Sequence, residues 1–377
     1  MRRKPHPKVE EAVESLDLNP VTRRRLLAGT GLASATLAAS ALLAACGDDN
    51  TPAAAGSVGN FPQTPKWKFA FVCHVTTNPF FVPTQYGAED ACKLLGLEYQ
   101  WTGSVNSVVA EMVDACNTAI TSKSDGLALA VVDKDAFRAP VDRALDAGMP
   151  VVSYNADGAV GEPGTNRLAY IGQGLYESGY ALGQRALTQI DSGNVAAFIA
   201  TPGQLNIQPR IDGAQQAFKD SGKSITFNSV ATNADITQGL SIIDAYVQGH
   251  QDVAGLLAVD AGSTQAVGSV VGKYKLREKS LKVAGGFDLV PETLASVKAG
   301  DLDYTIDQQP YLQGFLPVVY LYLYKVSGGL MFPSQTNTGL LFVTKDNVDP
   351  YQSTKSRYEG SDTAPKKIDR SGPIAHA

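Results

Sequence analysis

"DGLALAVVDKDAFRAPVDRALDAGMPVVSYNAD", residues 125–157, decides the fold. It opens on a continuous apolar run without polar alternation, as expected of a strand covered on both faces. A polar junction follows, then a helical segment, a stop at Gly148 and a second apolar strand. Strand, helix, strand over so short a span is the unit from which parallel α/β sheets are built.

The same rhythm extends in both directions. Upstream, "KWKFAFVCHV" (66–75) reads as a strand. "PTQYGAEDACKLLG" (83–96) reads as a helix, with Ala88, Ala91, Cys92 and Leu95 on one face and Gly96 as its C-terminal stop. "LEYQW" (97–101) is the second strand. "NSVVAEMVDACNTAITSK" (106–123) is a second helix that turns Val109, Met112, Val113, Cys116 and Ile120 inward. Downstream, "NVAAFIATPG", "SITFNSVAT", "VAGLLAVDAG", "LKVAGGFD" and "LDYTIDQQ" are strands, each followed by a helical segment. The body is about 290 residues long, above the size at which one core usually divides. The expectation is therefore α/β, with two doubly wound parallel-sheet lobes.

The ends read differently. "VTRRRLLAGTGLASATLAASALLAAC" (21–46) has a charged start, an apolar middle and small residues before a cysteine, the layout of a secretory signal. Arg23, Arg24 and Arg25 before two leucines resemble a twin-arginine export signature. Leu43-Ala44-Ala45-Cys46 resembles a bacterial lipobox, with lipidation expected on Cys46. The alternative is an uncleaved membrane anchor, since the apolar run is long enough to span a bilayer. Either reading puts the body outside the cytoplasm. Residues 46–65 read as the lipidated cysteine and a flexible linker, and 351–377 as a disordered tail.

Composition narrows the functional classes. Among 377 residues the net charge is -5, which gives no reason to expect nucleic acid. Beyond Cys46 the body holds Cys73, Cys92 and Cys116, all at core-like positions. One disulfide among them is compatible with an oxidising compartment, and the pattern does not decide it. The four histidines show no metal spacing, and no Cys-x-x-Cys, nucleophile elbow, Walker loop or dinucleotide fingerprint is present. Neither metal nor cofactor is expected.

In open α/β sheets ligands bind beyond the carboxyl ends of the strands. Those ends carry "TTNPFF" after the first strand, Asn155-Ala156-Asp157 after the fourth, "QLNIQPR" with Arg210, then Asp260, Asp288 and "DQQP" with Gln308 and Gln309. "NPFFVPTQYGAEDACKLLGLEYQ", the 125–157 stretch and "GGFDLVPETLASVKAGDLDYTIDQQP" together resemble the ribose-binding-protein family, the type I periplasmic sugar-binding proteins of ABC importers. The resemblance covers about residues 66–348.

It implies two lobes joined by a three-segment hinge, with crossings near Ile171, Gln309 and Thr338. The first lobe would be 66–171 plus 309–337, and the second 172–308 plus 338–350. The ligand would be a monosaccharide or related polyol, bound in the inter-lobe cleft and presented to a membrane permease by a monomeric receptor. Carried over position by position, Asn78 would bond a sugar hydroxyl and Phe80 and Phe81 would pack against the apolar sugar face. Arg210 would reach from the second lobe, Asp288 would accept hydroxyl hydrogen bonds, and Gln308 would sit at the hinge edge. Asn155 and Asp260 complete the set, with Trp101 and His74 as further candidates.

Alternatives stand beside several of these roles. The phenylalanines could be plain core, Asp288 or Asp260 a helix cap, and His74 a structural histidine. The chain also departs from the family. Asn155-Ala156 replaces an Asp-Arg pair, Asp260 replaces an asparagine, and Ala234 replaces a second-lobe aromatic. These changes argue against a ribopyranose site and leave polyols, deoxy sugars, furanoses and larger sugars open. A sensor role and a glycoside-processing enzyme using Asp260 with Asp288 are competing readings. A lac-repressor-type regulator disagrees with the export signal.

Overall fold

The computed structural model describes residues 64–158, 164–329 and 332–353. The expected signal, Cys46 and the linker as far as residue 63 lie outside the described residues, as does the tail from 354.

Two six-stranded sheets organise the rest. The first contains β1 (Lys68–Cys73), β2 (Glu98–Gly103), β3 (Gly126–Leu129), β4 (Val151–Tyr154), β5 (Tyr170–Gly172) and β11 (Gln335–Asn337). Its order is β11-β5-β4-β3-β1-β2, and every pairing is parallel. The second contains β6 (Ser192–Ile199), β7 (Ser224–Ala231), β8 (Gly255–Ala258), β9 (Val283–Phe287), β10 (Tyr304–Asp307) and β12 (Leu341–Thr344). Its order is β12-β10-β9-β8-β6-β7, parallel except for antiparallel β12. The central strands β3, β4, β8, β9 and β10 are buried throughout. Helices cover both sides of such strands, so their sequences need no polar alternation.

Helices α1 (Val82–Leu95), α2 (Val109–Thr121), α3 (Arg138–Asp146) and α9 (Pro310–Ser327) serve the first sheet. The second is served by α4 (Leu175–Ala186), α5 (Gln208–Asp220), α6 (Ile236–Gly249), α7 (Ala261–Lys273) and α8 (Pro291–Ala299). Glycines bring two helix pairs to backbone contact. A Cβ on Gly314 of α9 would stand 1.8 Å from the Thr84 carbonyl oxygen, and one on Gly87 of α1 would stand 2.1 Å from that of Tyr311. Gly179 of α4 and Gly213 of α5 do the same in the second lobe, 2.0 Å from Arg210 O and 2.1 Å from Tyr176 O.

The chain passes between sheets after β5, after β10 and after β11. Gln173 ties the three passages together. Its Nε2 donates to Gly339 O at 2.8 Å and to Asp307 O at 3.3 Å. Thr338 adds two more links, its backbone N–H to Gly172 O and its hydroxyl to Gln308 O.

Three details depart from the sequence reading. The helix expected from Asn106 starts at Val109, because Ser107 is in the left-handed region at φ 59°. The three-residue strands β5 and β11 are additions. The tail is helical over its first residues, in α10 (Asp349–Ser353), where Tyr351 packs on the second lobe's core and Asp349 pairs with Lys298. Cys73, Cys92 and Cys116 are all free and buried.

Candidate binding cleft

The carboxyl ends of the two sheets face one another across a cleft. Its lining includes His74, Asn78, Phe80, Phe81, Asn155, Arg210, Asp260, Asp288 and Gln308.

From the first lobe, β1 delivers the aromatic wall. Asn78 caps the short 3-10 turn Pro79–Phe81, its Oδ1 accepting from Phe80 N at 3.0 Å. The proline supplies the fixed φ that begins the turn. The cap uses the carbonyl of the Asn78 side chain and leaves its NH2 for the cleft. Phe80 and Phe81 meet edge to face with centroids 4.7 Å apart, and Phe81 packs edge-on against His74 at 5.3 Å. Both rings are buried, so the core role and the lining role coexist. Trp101 does not line the cleft, which corrects its expected place. Its indole stacks on Phe71 at 5.9 Å, packs behind Phe81 at 5.8 Å, and donates from Nε1 to Thr76 O at 3.2 Å. It backs the aromatic wall because β2 lies beside β1, one strand out from the cleft.

The second lobe supplies the charges. Arg210 sits in the first turn of α5, 2% exposed. Its Nη1 donates to Val259 O at 2.9 Å, its Nη2 to Gln173 Oε1 at 3.3 Å, and its guanidinium lies 3.9 Å over the Phe287 ring. Nε has no partner. The unfavourable helix-dipole position of this cation is thus offset by a built seat. Asp260 caps α7, with Oδ1 accepting from Ser263 N and Oδ2 from Ala200 N. Its capping role is therefore realised, on the cleft wall. Asp288 caps nothing: α8 begins after Val290, and Asp288 stands at φ 74° after β9. Burial pushes its carboxyl up to about 6, against the opposing pull of Arg210 and the Gln308 hydrogen bond.

Hydrogen-bonded amides join the lobes along the hinge edge. Asn155 Nδ2 donates to Gln313 Oε1 at 3.0 Å. Gln313 Nε2 donates to Gln308 Oε1 at 3.1 Å, and Gln308 Nε2 to Asp288 Oδ1 at 2.7 Å. All four side chains are buried. Asn155, Asp288 and Gln309 all have positive φ, a backbone state that asparagine and aspartate tolerate best.

The lobes also touch across the cleft itself. Leu205 N donates to Val132 O at 2.8 Å. Ser107 and Gln204 exchange two hydrogen bonds, hydroxyl to Oε1 at 2.5 Å and Nε2 to Ser107 O at 2.9 Å. Asn206 Nδ2 meets His74 Nε2 at 3.1 Å. His74 Nδ1 and Asn206 Oδ1 have no protein partner. The structure is thus the closed arrangement of the two lobes.

Asn206, Gln204, Ser107, Gln173 and Gln313 escaped the sequence reading. Asn206 and Gln204 lie in "QLNIQPR", where only the arginine stood out. Gln313 had no signal, being one polar residue in an apolar helix. Asp157, beside Asn155, turns away to Arg167 and Ser153. Ala234 lines the cleft as a small residue, as expected from its side chain. Rings, buried acceptors and a guanidinium suit a compact molecule with several hydroxyls and an apolar face. Among the described residues no three His, Cys, Asp or Glu side chains are placed to hold a metal ion.

Comparison with known proteins agrees with this geometry. The sequence profile of the periplasmic binding protein domain matches residues 69–328. A xylose/arabinose-binding protein of Sulfolobus acidocaldarius is 48% identical over 318 residues, 82% of this chain and 78% of that protein. A ribose import binding protein of Bacillus subtilis is 26% identical, over 67% of this chain and 80% of its own length. Among solved structures, an ABC transporter solute-binding protein of Burkholderia graminis, in complex with D-arabinose, superposes with a TM-score of 0.70 at 25% identity. It covers 78% of this chain and 100% of its own. A carbohydrate transporter protein of Acidothermus cellulolyticus in complex with myo-inositol has a TM-score of 0.68 at 25% identity, over 76% and 97% of the two chains.

Proposed function

The chain belongs to the periplasmic binding protein family, and from that premise we propose that it is an extracytoplasmic receptor for a monosaccharide, with a pentose such as xylose or arabinose as its preferred ligand. One observation carries the reading: a closed cleft combines two aromatic rings with an unpartnered guanidinium Nε, the buried carboxylate of Asp288 and the half-buried one of Asp260. Phe80 and Phe81 take the C–H face of the sugar. Asn78 donates, Asn155 and Asp288 accept, and Arg210 bridges to ring or hydroxyl oxygens. Gln308 and Asp260 hold the wall. The 48% identity to the Sulfolobus acidocaldarius xylose/arabinose-binding protein supports the pentose preference, and the lack of a second-lobe aromatic at Ala234 supports a site unlike the ribose one.

The receptor acts by population shift. Sugar binds the open form and stabilises the closed one, which an ABC permease recognises. The twin-arginine leader and Cys46 lipidation would tether it to the outer face of the membrane. Binding by the existing side chains requires no turnover, so the receptor is read as a non-enzyme.

Titration calorimetry with D-xylose, L-arabinose, D-ribose and myo-inositol tests the function. Saturable binding of a pentose is expected, and at 100 times Kd it should add about 2.7 kcal/mol to stability. No binding of any of the four, or release of product from glycosides, overturns the reading. Palmitate labelling that depends on Cys46 tests the tether.

A further inference from the structure

Gln313 takes no part in the cleft wall, yet it fixes the chemistry of a residue that does. It is fully buried on α9, and its amide has one allowed orientation. Nε2 lies 3.1 Å from the backbone carbonyl of Gln308, 3.1 Å from that residue's Oε1 and 3.2 Å from Thr338 Oγ1. Turning the amide over would set Oε1 against a backbone carbonyl, two acceptors with no proton between them. Asp288 imposes the same polarity from the other end. Its Oδ1 accepts from Gln308 Nε2, which leaves Gln308 Oε1 to accept from Gln313.

Gln313 Oε1 therefore faces Asn155 and accepts from its Nδ2. That bond spends one of the two Nδ2 hydrogens and fixes the amide's orientation, so Oδ1 is held on the opposite side as an acceptor. Among the described residues no hydrogen bond reaches Asn155 Oδ1 or Asp288 Oδ2. Both residues line the cleft, one from each lobe.

On the sugar-binding reading above, we infer that Gln313 is a positioning residue for ligand specificity: through it Asn155 is held as an acceptor alongside Asp288, so the site selects a sugar that presents a free hydroxyl hydrogen to each lobe. A ligand oxygen that lacks its hydrogen meets a lone pair at Asn155. The relay is buried and crosses the hinge, so the requirement is enforced in the closed form, where both ends are assembled.

The test uses the full chain, D-xylose and L-arabinose, and their monodeoxy and monodeoxyfluoro derivatives, which cannot donate at the substituted position. Wild type should lose about 10- to 100-fold in affinity for the derivative whose missing hydroxyl faces Asn155, with fluorine no better than hydrogen. In Gln313→Met the Asn155 amide is free to turn, and the fluoro derivative should regain about tenfold over the deoxy one. Gln313→Glu is the second variant. Its neutral carboxyl can donate to Gln308 and restore the relay, whereas its carboxylate cannot. Its affinity should therefore fall, relative to wild type, by up to about tenfold per pH unit above the carboxyl pKa. Asp288, Asp260 and Asp307 titrate in both proteins beside the same Arg210 cation, so only the difference in slope counts.

If wild type binds a pentose and both variants keep its ligand profile and pH slope, the positioning role is overturned while the function stands. If wild type binds no sugar, the functional reading falls and takes this role with it. Should Gln313→Met fail to fold, the Gln313→Glu slope decides alone.

Discussion

Asn206 reaches from the second lobe to His74 of the first, amide nitrogen to imidazole Nε2 at 3.1 Å. The contact makes closure sensitive to acid. Burial holds the imidazole neutral and pushes its pKa down to about 3, whereas a free histidine titrates near about 6.5. The neutral ring is favoured in the closed fold, so this stability is complete above about pH 6.5 and is lost as pH falls toward 3. The slope is about 1.4 kcal/mol per pH unit. Pentose affinity measured by calorimetry from pH 7.5 to 4.5 should fall on the acid side. His74→Gln should flatten that fall; an unchanged profile would refute the link.

Arg210 is expected to be indispensable to binding. Arg210→Met strands Val259 O and Gln173 Oε1 and removes the cation that lowers the Asp288 carboxyl. Each orphaned buried group costs about 1–3 kcal/mol. Asp288, already raised to about 6, should shift further up and titrate within the neutral range. Arg210→Met should therefore melt lower than wild type and bind pentose at least about 100-fold more weakly. Retained affinity would exclude Arg210 from the site.

Gly179→Ala tests how the guanidinium is placed. The added methyl would meet Arg210 O at 2.0 Å, so α5 must move away from α4. Overpacking of this kind costs about 1–3 kcal/mol. Gly268→Ala causes a clash elsewhere, 2.5 Å from Ser296 Oγ, between residues that do not line the cleft. Both should lower the melting temperature. Gly179→Ala should also weaken pentose binding at a temperature where each variant is folded, and equal binding by both glycine variants would break the argument.

The three cysteines should be inert until the protein opens. Burial pushes the thiols of Cys73, Cys92 and Cys116 up to about 12, so thiolate is scarce at neutral pH. Iodoacetamide at pH 8 should label none of them natively and all of them in urea. Pentose should slow labelling at intermediate urea. Rapid native labelling would mean that a core strand or helix opens locally.

Much of the architecture was legible because buried parallel strands advertise themselves. The runs ending at Val132, Tyr154, Val259 and Phe287 are long and apolar, and glycines punctuate them. β5 and β11 were not legible, since three residues carry no period. Cleft residues were legible where strand ends carry unusual chemistry, as at Phe80, Arg210 and Asp288. The amides were not. Gln173, Gln313 and Asn206 look like any surface amide in sequence, and each role depends on a partner more than 100 residues away in the chain. Trp101 was misplaced because strand-end position does not say which strand lies nearer the cleft.

The last strands of the described chain have a consequence for how the molecule is made. β11 completes the first sheet and β12 the second, and both follow residue 334. Until residues 335–344 are synthesised, β5 and β10, buried strands in the finished sheets, would stand as open edges, templates for mispairing. The first-lobe helix α9 arrives only after strands β6 to β10 of the second lobe. Neither half can mature ahead of the other, so biogenesis is a single late commitment, and a nascent chain stalled before residue 335 should be a target for chaperones and proteases.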